Sequence, residues 1–514
     1  MSTSLGSQIA ALAARYRPLA AELLRECVRI PADFVDRPVD QGGDPACGLS
    51  NHERPRLEYL RRRIVEIGAV ATERDVFFDD FGNLVWVVED PQDGVAPADK
   101  RVIYLDGHSD TVRALRPAWR EKIGGIDAYD GVTDPARIDR AFLRRELGHL
   151  PSDGDWEHLL FGRGSADQLG GVVGQVVASK ILRELIPQGA LRGAIVVSYA
   201  TVAEEDNDGG GPAYVMKHVL PGAAADRIPD VVILTEGTGD AKKGALGIYR
   251  GQRGRMQIEV VVTGRSCHGS MPWEGKNPLE HGGAMVAEAA RRYDAREGFA
   301  DHAFLGHGTR TASWAVLETP SDCAVPERFT FRFDRRLTVG ETWEQALADV
   351  EKLDAVRAAR EAGLAVEVRV PTYDDPTWRG FRPGNAQIYM GWVTPEDHPA
   401  IRAAVASYRD VVSPQVPAGP EERGALRREP RVDRWIFSTD GVGFLLPTQD
   451  TSVPVGERKR WVTSGAVRHP PMFGLGPGIE QNTHKVGECV DLRELERAIA
   501  FYARFPRAFV DGES

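Results

Sequence analysis

A histidine and an aspartate two residues apart, His108 and Asp110, come after the apolar run Val-Ile-Tyr-Leu at 102–105. In an extended segment these two side chains share a face, so the carboxylate can hold the second ring nitrogen of the imidazole. Metal-binding histidines are built in this way, because the partner fixes the tautomer and the ring orientation. A lone His-x-Asp is more often ordinary polar structure, so its weight depends on the residues farther along the chain.

Two acidic clusters lie downstream. Asp167 lies in the glycine-rich segment Phe-Gly-Arg-Gly-Ser-Ala-Asp-Gln-Leu-Gly-Gly at 161–171, which lacks the Gly-Lys-Ser/Thr of a phosphate loop. A helix N-cap aspartate remains the alternative interpretation. Glu204 and Glu205 open an acidic run after another apolar stretch. One carboxylate can bind a metal while its neighbour faces a water as base, although a solvated acidic loop is the plainer alternative.

Two further residues complete the candidate set. Glu236 comes after the apolar run Val-Val-Ile-Leu, and His484 lies in a loop before the last predicted helix. Taken singly, the first is typical of an exposed strand end and the second of a structural histidine. Together, two histidines and three carboxylates suit two zinc-like ions bridged by one aspartate. Such a pair of ions polarises a carbonyl and lowers the pKa of a shared water, whose proton Glu204 would pass to a leaving amine.

The candidate residues come after predicted strands that alternate with predicted helices along the chain. Apolar runs at 102–105, 194–200 and 231–234 alternate with helical patterns at 168–186 and 212–219. This predicts an α/β fold with a mostly parallel sheet and helices on both faces, and it places the candidate residues beyond the carboxyl ends of strands. The segment 113–158 interrupts the rhythm, and we interpret it as a surface excursion that is partly helical around 135–147.

A second block has its own pattern and predicts an inserted α+β (ferredoxin-like) unit. Its predicted strands and helices, in chain order, are 257–263, 278–293, 329–334, 342–362 and 365–370. The predicted division is therefore an inserted unit at 250–392, flanked by the two segments 1–249 and 393–514 of the larger α/β domain.

Composition narrows the class of protein. The chain has 514 residues, with 64 Lys and Arg against 75 Asp and Glu, a net charge of −11. An acidic chain without a basic stripe argues against nucleic acid or an anionic membrane as partner. The five cysteines form no Cys-x-x-Cys pair, no apolar stretch approaches a membrane span, and the N-terminus predicts an amphipathic helix. We therefore expect a cytoplasmic protein.

These motifs, in this order, resemble the dinuclear-zinc peptidase and deacylase family, which includes acetylornithine deacetylase, succinyl-diaminopimelate desuccinylase, aminoacylase and glutamate carboxypeptidase. Gly-His108-Ser-Asp110, the segment ending at Asp167, the pair Glu204-Glu205 and His484 carry the resemblance over nearly the whole chain. The strings Asp-Arg-Arg-Leu-Thr-x-Gly-Glu, Phe-Ser-Thr-Asp-Gly and Gly-Pro-Gly-x-Glu are most similar to a branch called selenium-metabolism-linked hydrolases.

The resemblance implies two divalent metal ions, zinc first, with manganese or cobalt as alternatives. One ion would be held by His108, Asp167 and Glu236, and the other by Asp167, Glu205 and His484. Glu204 would be the catalytic base and Asp110 the partner of the histidine ligand. The resemblance also implies that 1–249 and 393–514 form a catalytic metal-binding domain and that 250–392 is an inserted lid and dimerisation domain, which would join two subunits as a homodimer.

Two lid residues acquire roles from the same resemblance. His268 matches the histidine that stabilises the tetrahedral oxyanion, usually across the dimer, and Arg336 matches the arginine that binds a substrate carboxylate. Two features depart from the family pattern. Cys323 stands where many members have an asparagine, and the 59 residues from His108 to Asp167 place an insertion near the mouth of the site.

The predicted function is metal-dependent hydrolysis of an amide bond in a small carboxylate-bearing substrate, such as an N-acyl amino acid, a dipeptide or a carbamoyl compound. The alternative is a catalytically silent metal-binding scaffold on the same fold, which loss of the base or of a ligand would indicate. Every ligand and Glu204 are present, which favours the hydrolase. A cysteine hydrolase using Cys267 beside His268 is disfavoured, because neighbours in a strand point to opposite faces.

Overall fold

The computed structural model describes residues 4–32, 52–224, 226–417, 424–457 and 459–513, so Cys47 lies outside the described residues. Within these ranges the α-helices are α1 Leu5–Arg29, α2 Arg54–Glu66, α3 Arg116–Lys122, α4 Arg140–Glu146, α5 Gly170–Glu184, α6 Glu204–Asn207, α7 Gly210–Tyr214, α8 Pro278–Asp294, α9 Trp343–Glu351, α10 Asp354–Glu361, α11 Pro399–Val411 and α12 Leu492–Glu513.

The strands of the same ranges are β1 Val76–Phe78, β2 Leu84–Glu89, β3 Arg101–His108, β4 Leu159–Phe161, β5 Ala194–Thr201, β6 Val231–Leu234, β7 Ile248–Gln252, β8 Gly254–Thr263, β9 Cys267–His268, β10 Asp301–His302, β11 Gly306–His307, β12 Thr309–Glu318, β13 Ala324–Val325, β14 Arg328–Leu337, β15 Ala365–Arg369, β16 Thr372–Tyr373, β17 Asn385–Ala386, β18 Ile388–Tyr389, β19 Trp392–Val393, β20 Val432–Trp435, β21 Leu446–Pro447, β22 Val462–Ser464, β23 Val467–His469, β24 Met472–Gly474 and β25 Cys489–Asp491.

The larger sheet has the strand order β1-β2-β5-β3-β6-β24-β7-β19, with β20 also paired to β7. Its inner strands β5, β3, β6 and β24 run parallel, whereas the strands toward the two edges pair mostly antiparallel. The predicted mostly parallel sheet is confirmed. The inner strands read as unbroken apolar runs because both of their faces are covered.

Both faces of this sheet are packed. Helices α1, α5, α11 and α12 form one layer, and their apolar residues share a core with alternate residues of β2, β3, β5 and β6. The opposite face of the sheet packs against the helical turns at 210–222 and the segment around Phe444 and Val453. The sheet is therefore rigid, and the residues at its strand ends are held in fixed positions.

The smaller sheet has the order β12-β14-β8-β15, and all of its pairs are antiparallel, including β18 on β8. Helices α8, α9 and α10 contribute to its single core. The chain order β8-α8-β12-β14-α9/α10-β15 is the β-α-β-β-α-β order of a ferredoxin-like unit. The predicted α+β unit is present, inserted between β7 and β19 of the larger sheet.

One predicted helix of this unit, 342–362, is interrupted. The chain is extended at Leu353, whose side chain is buried, and a new helix begins at Asp354. The carboxylate of Glu288 accepts hydrogen bonds from the backbone N–H groups of Asp354 and Ala355 at 3.0 and 2.8 Å. A side chain from another helix therefore caps α10, which a local sequence pattern does not reveal.

The segment 113–158 is more than the predicted surface excursion. It contains α3 and α4, and α4 falls within the range predicted to be helical. Trp119 and Trp156 are fully buried in a separate cluster of apolar side chains, together with Leu143 and other residues of the segment. We call residues 113–158 the insertion. The prediction of a surface excursion was wrong in this respect, because the two tryptophans give the insertion a core of its own.

The sequence also led us to expect no disulfide framework and no membrane span. Among the described cysteines, Cys27, Cys267, Cys323 and Cys489 are free thiols. A search of the described residues finds no helix with the length and apolar content that a bilayer crossing requires.

Candidate metal centre

The register of the parallel strands brings the candidate residues to one edge of the sheet. His108, the last residue of β3, is level with Thr201 at the end of β5, and Asp106 is level with Leu234 at the end of β6. Glu236, two residues beyond Leu234, therefore comes level with His108. Parallel strands of this kind end at the same edge, which is where open α/β sheets place their ligands.

His108 is buried and surrounded by carboxylates. Its Nε2 lies 3.0 Å from Asp167 Oδ1, 3.6 Å from Glu236 Oε2 and 3.9 Å from Glu204 Oε2. Its Nδ1 lies 3.2 Å from the backbone carbonyl of Asp110 and 3.4 Å from Asp110 Oδ1. An Nδ1–H that donates to Asp110 leaves the Nε2 lone pair free for a cation.

Asp110 also positions the glutamate pair. Its two carboxylate oxygens accept hydrogen bonds from the backbone N–H groups of Glu204 and Glu205, at 3.1 and 3.0 Å. The preceding residue, Ala203, has a φ of +62°, in the left-handed region that few non-glycine residues adopt. One aspartate therefore fixes both the imidazole of His108 and the turn that carries Glu204 and Glu205.

Asp167 lies between the two histidines. Its Oδ1 faces His108 Nε2 at 3.0 Å, and its Oδ2 faces His484 Nε2 at 2.9 Å. The buried carboxylate of Glu488 supports it from behind, by accepting hydrogen bonds from the backbone N–H groups of Ala166 and Asp167 at 3.1 Å each. A carboxylate with one oxygen toward each imidazole has the arrangement that a bridging ligand requires.

Glu205 completes the second side. Its Oε2 lies 3.3 Å from His484 Nε2, and its Oε1 accepts a hydrogen bond from the backbone N–H of Val112 at 3.1 Å. Ligand atoms of His108, Asp167 and Glu205 all lie within 4.8 Å of one another. His484 itself has a φ of +61°, and 53% of its side chain is exposed.

The buried carboxylates of the cluster favour binding of a cation, which would offset their mutual repulsion. Burial raises the pKa of Glu204 and Glu236 well above the ordinary value, and the pKa of Glu205 is raised as well. The charge of Asp167 adds to this effect at Glu205 and Glu236. Imidazole nitrogens and carboxylate oxygens at these separations are the donors that zinc prefers, so the residues present fit divalent cations.

Three residues behind the cluster were not identified from the sequence. Gln168 Nε2 donates to Glu236 Oε2 at 2.8 Å, which orients that carboxylate. Asp106 and Asp440 are both buried, and burial together with the charge of Asp440 raises the pKa of Asp106 well above its ordinary value. Asp106 precedes His108 by two residues and thus shares its face of β3. That spacing was the available signal, whereas the position of Asp440 depends on a distant part of the chain.

Arg336 lies at the carboxyl end of β14 in the smaller sheet, with its guanidinium already partnered. Its Nε and Nη2 donate to the two carboxylate oxygens of Asp334 at 2.7 and 3.1 Å, and its Nη1 donates to Ser438 Oγ at 3.1 Å. Ser438 in turn donates to Asp208, four residues beyond Glu204, at 2.9 Å. These contacts link the predicted substrate-binding arginine to the acidic segment of the larger sheet.

His268 stands apart from this cluster. It lies in β9, and its Nδ1 accepts hydrogen bonds from the N–H and the hydroxyl of Ser270 at 3.1 and 2.8 Å. The thiol of Cys267 contacts the carbonyls of His268 and Met271 rather than the imidazole. Cys323 is exposed and uses its carbonyl to accept a hydrogen bond from Gly269. Among the described contacts, none joins Cys267 to an imidazole as a nucleophile would require.

Comparison with known proteins finds one matching domain model and several similar chains. Residues 250–360 match the M20 peptidase dimerisation domain. The uncharacterized protein YgeY of Escherichia coli (strain K12) is 29% identical over 499 residues, which cover 97% of this chain and 96% of that protein. A succinyl-diaminopimelate desuccinylase of Methylobacterium radiotolerans is 26% identical over 376 residues, which cover 70% of this chain and 78% of that protein.

The fold relationship extends over the whole chain. The crystal structure of human carnosine dipeptidase 1 is similar with a TM-score of 0.62 at 13% sequence identity, covering 99% of this chain and 100% of that one. The larger and smaller sheets are therefore those of the M20 fold, in which a dimerisation domain is inserted into the catalytic domain.

Proposed function

From the M20 peptidase fold with its inserted dimerisation domain, we propose that this chain is a metal-dependent hydrolase that cleaves an amide bond in a small, carboxylate-bearing substrate. The family relationship supports a metallohydrolase that acts on amide bonds. The observation that carries the proposal is the position of Asp167 between His108 and His484, with Glu204 beside the cluster at 3.9 Å from His108.

The contacts of Asp167 with both histidines support two proposed ligand sets that share this aspartate. His108, Asp167 and Glu236 would hold one divalent ion, and Asp167, Glu205 and His484 would hold the other. Zinc is the proposed metal, with manganese and cobalt as alternatives. When bound, the two ions would polarise the substrate carbonyl and acidify a water between them.

The residues of the chain supply the proton transfers. The Glu204 carboxylate lies beside the cluster and belongs to neither ligand set, so it is available to take a proton from the attacking water and deliver it to the leaving amine. Asp110 would keep His108 in the tautomer that presents Nε2, and would hold the backbone of the glutamate pair by accepting from both of its N–H groups.

Arg336 is the proposed carboxylate-binding residue. Its pairing with Asp334 orients the guanidinium, and a substrate carboxylate would take the place of the Ser438 hydroxyl on Nη1. A guanidinium suits this role because it presents several donors in a fixed plane. Substrates would accordingly be N-acyl amino acids, dipeptides or carbamoyl-type acids.

We also propose a homodimer formed through the smaller sheet. Strand β12 lies at the edge of that sheet, and its side chains of Trp314, Val316 and Leu317 are exposed. An unpaired edge with exposed apolar residues is a ready interface for a second copy. The dimer would bring His268 of one subunit to the cluster of the other, where it would stabilise the oxyanion.

Mixing two inactive variants tests this arrangement. His268→Ala and Glu204→Gln subunits should each be nearly inactive alone, and mixed dimers should recover part of the activity, because one of their two sites is then intact. Mixed dimers verified by two affinity tags that remain inactive would place His268 within its own subunit or outside catalysis.

The first experiment on the proposed function joins metal content with an activity screen. Elemental analysis of the purified protein should find about two ions per chain. Amine release from N-acyl amino acids, dipeptides and ureido acids should occur with one class and stop when a chelator is added. Bound metal without turnover of any class would favour the alternative of a silent metal-binding scaffold, and protein that takes up neither zinc nor manganese would overturn the metal centre itself.

The domain boundaries and the location in the cell are proposals too. We propose a catalytic domain formed by 1–249 and 393–514, and a lid and dimerisation domain at 250–392, which contains the matched residues 250–360. The free thiols of the four described cysteines support a reducing compartment such as the cytoplasm.

A further inference from the structure

The two histidines of the centre are held in different ways, and the insertion accounts for the second. We call residues 476–488 the His484 loop. His484 lies in this loop with a left-handed backbone and a half-exposed ring, whose described polar partners are the acids Asp167 and Glu205. Because 53% of the His484 side chain is exposed, its position depends strongly on the backbone that presents it.

That backbone is attached to the insertion on the side that precedes His484. The buried amide of Asn482 accepts hydrogen bonds from the N–H groups of Gly148 and His149 at 2.6 and 3.1 Å, and it donates to the carbonyl of His149 at 2.7 Å. Both ends of this one side chain are therefore used on the backbone of the insertion. A Cβ at Gly148 would overlap Gln481, so the close approach requires glycine at that position.

The side that comes after His484 is attached as well. Lys485 Nζ donates to the carbonyl of Glu146 at 2.9 Å, and Val486 packs against the apolar cluster of the insertion. Gly487 has a φ of +90° and leaves no room for a side chain beside Leu143. His484 is thus bracketed, within three residues on either side, by contacts to one inserted segment.

His108 shows no such dependence. It ends a strand of the larger sheet, and its described partners Asp110, Asp167, Glu204 and Glu236 all lie outside the insertion. Glu488, at the end of the same loop, also holds the backbone of Asp167, but it is buried and separately paired with Arg163. A disturbance of the contact between the insertion and the His484 loop should therefore act mainly on the ligand set that contains His484.

From these contacts we infer that Asn482 is a positioning residue, through which the insertion sets the metal affinity of the Asp167–Glu205–His484 side and leaves the His108–Asp167–Glu236 side unchanged. The inference rests on the proposed function, because it assumes two ions at the two ligand sets. Supporting groups of this kind commonly change metal affinity by about 10–100-fold when they are removed.

Zinc titration of the metal-free full-length protein, in competition with a chromophoric chelator, tests the inference. Wild-type protein should bind two ions. Asn482→Ala should bind the first with unchanged affinity and the second about 10–100-fold more weakly. Asn482→Asp should lose less affinity for the second ion, because its carboxylate still accepts hydrogen bonds from the N–H groups of Gly148 and His149. Only the hydrogen bond donated to the His149 carbonyl is lost.

Two controls separate positioning from general destabilisation. Asn277→Ala removes a backbone cap of the same chemical type, since the Asn277 side chain accepts from the N–H of Leu279 at 3.0 Å at the start of α8 in the smaller sheet. It should lower the melting temperature without changing either zinc affinity. In a His484→Ala background, Asn482→Ala should have no further effect on zinc binding.

The outcomes are distinguishable. Suppose that wild-type protein binds two zinc ions and that Asn482→Ala either binds both with unchanged affinity or loses affinity for both equally. That result would overturn this inference and leave the proposed function intact. If the wild-type protein binds no zinc in this titration, the proposed function and the inference are overturned together. If Asn482→Ala does not fold, the inference is tested by comparing Asn482→Asp with wild type. Affinities that equal those of wild type at both ions would overturn the inference.

Discussion

His108 and His484 face opposite oxygens of Asp167 at similar distances, 3.0 and 2.9 Å, yet they belong to different kinds of structure. His108 ends a buried strand and is 1% exposed, whereas His484 lies in a loop with 53% of its side chain exposed. The first half of the centre is built by sheet register, and the second is built by a loop that the insertion holds. Equal geometry can therefore rest on unequal support, and the two halves should respond differently to mutation.

The largest effect is expected at Glu204, which contacts the strand-built half but is assigned to neither ligand set. Glu204→Gln should lower turnover by about 10²–10⁴-fold, because the amide cannot accept the proton of the attacking water. Metal content and unfolding free energy should stay near the wild-type values, since the substitution removes a carboxylate whose burial already raises its pKa. Amine release together with elemental analysis checks this, and near-normal turnover would remove Glu204 as the base.

The difference between the two halves is tested by comparing His108→Ala with His484→Ala. The quantity to measure is the unfolding free energy of the metal-free protein. His108→Ala should cost about 3–5 kcal/mol, because it leaves buried carboxylates without their cationic partner. His484→Ala should cost less than His108→Ala, because 53% of the His484 side chain is exposed and solvent screens its pairs with the buried acids Asp167 and Glu205. Denaturant titrations in the presence of chelator give both values. Similar costs for the two variants would show that the support of the two halves is not different.

A third histidine isolates the effect of burial. His469 is as buried as His108, but its described hydrogen-bond partners are the Ser464 hydroxyl and the Pro470 carbonyl rather than acids. Burial lowers the pKa of His469 to about 4. At His108 burial acts in the same direction, but the hydrogen bonds to Asp110 and Asp167 and the charges of nearby glutamates raise the pKa well above its ordinary value.

The consequence is a pH dependence with a definite sign. The unfolded chain binds a proton on His469 below about pH 6.5, and the folded chain does so only below about pH 4. Stability present above pH 6.5 is therefore lost as the pH falls toward 4, by up to about 3 kcal/mol. His469→Gln should remove this contribution, so urea unfolding of metal-free protein at pH 7 and pH 4.5 should show a smaller loss for the variant. Parallel losses would mean that His469 is not kept neutral by burial.

The smallest expected effect concerns Asp110, which serves both halves. Asp110→Asn keeps the side-chain shape but replaces one acceptor oxygen by a donor, next to the N–H groups of Glu204 and Glu205. Zinc affinity should fall by about 10–100-fold at both ions. Competition titration checks this, and weakening at one ion alone would restrict Asp110 to one half of the centre.

Much of this arrangement was predictable for a local reason. The apolar runs at 102–105, 194–200 and 231–234 indicated parallel strands, and the carboxyl ends of such strands meet at one edge. His108, Glu204, Glu205 and Glu236 each lie at or just beyond the end of a strand, so their proximity results from the order of the elements. The inserted β-α-β-β-α-β unit was likewise visible in its periodicity, apart from strand β12, whose exposed apolar residues do not alternate as a half-buried strand should.

Other contacts were beyond the reach of local patterns. Glu288 caps a helix 66 residues away, Arg336 is hydrogen-bonded to Ser438 in the segment after β20, and Asn482 binds a segment 333 residues earlier in the chain. Each depends on where two elements pack against one another, which residue type and spacing do not specify. The insertion shows the same limit, because its charged composition predicted a surface segment while two tryptophans closed a core.

The sequence by itself determined the donor types of the candidate site and the strand ends where they meet, and it supplied the proposed base. Hydrophobic periodicity and strand register act over a few residues, so they can be traced along the chain. Only the tertiary structure decided which support each half of the centre receives. The hydrogen bonds between the insertion and the His484 loop join residues remote in sequence, and such contacts form only after the separate elements have packed.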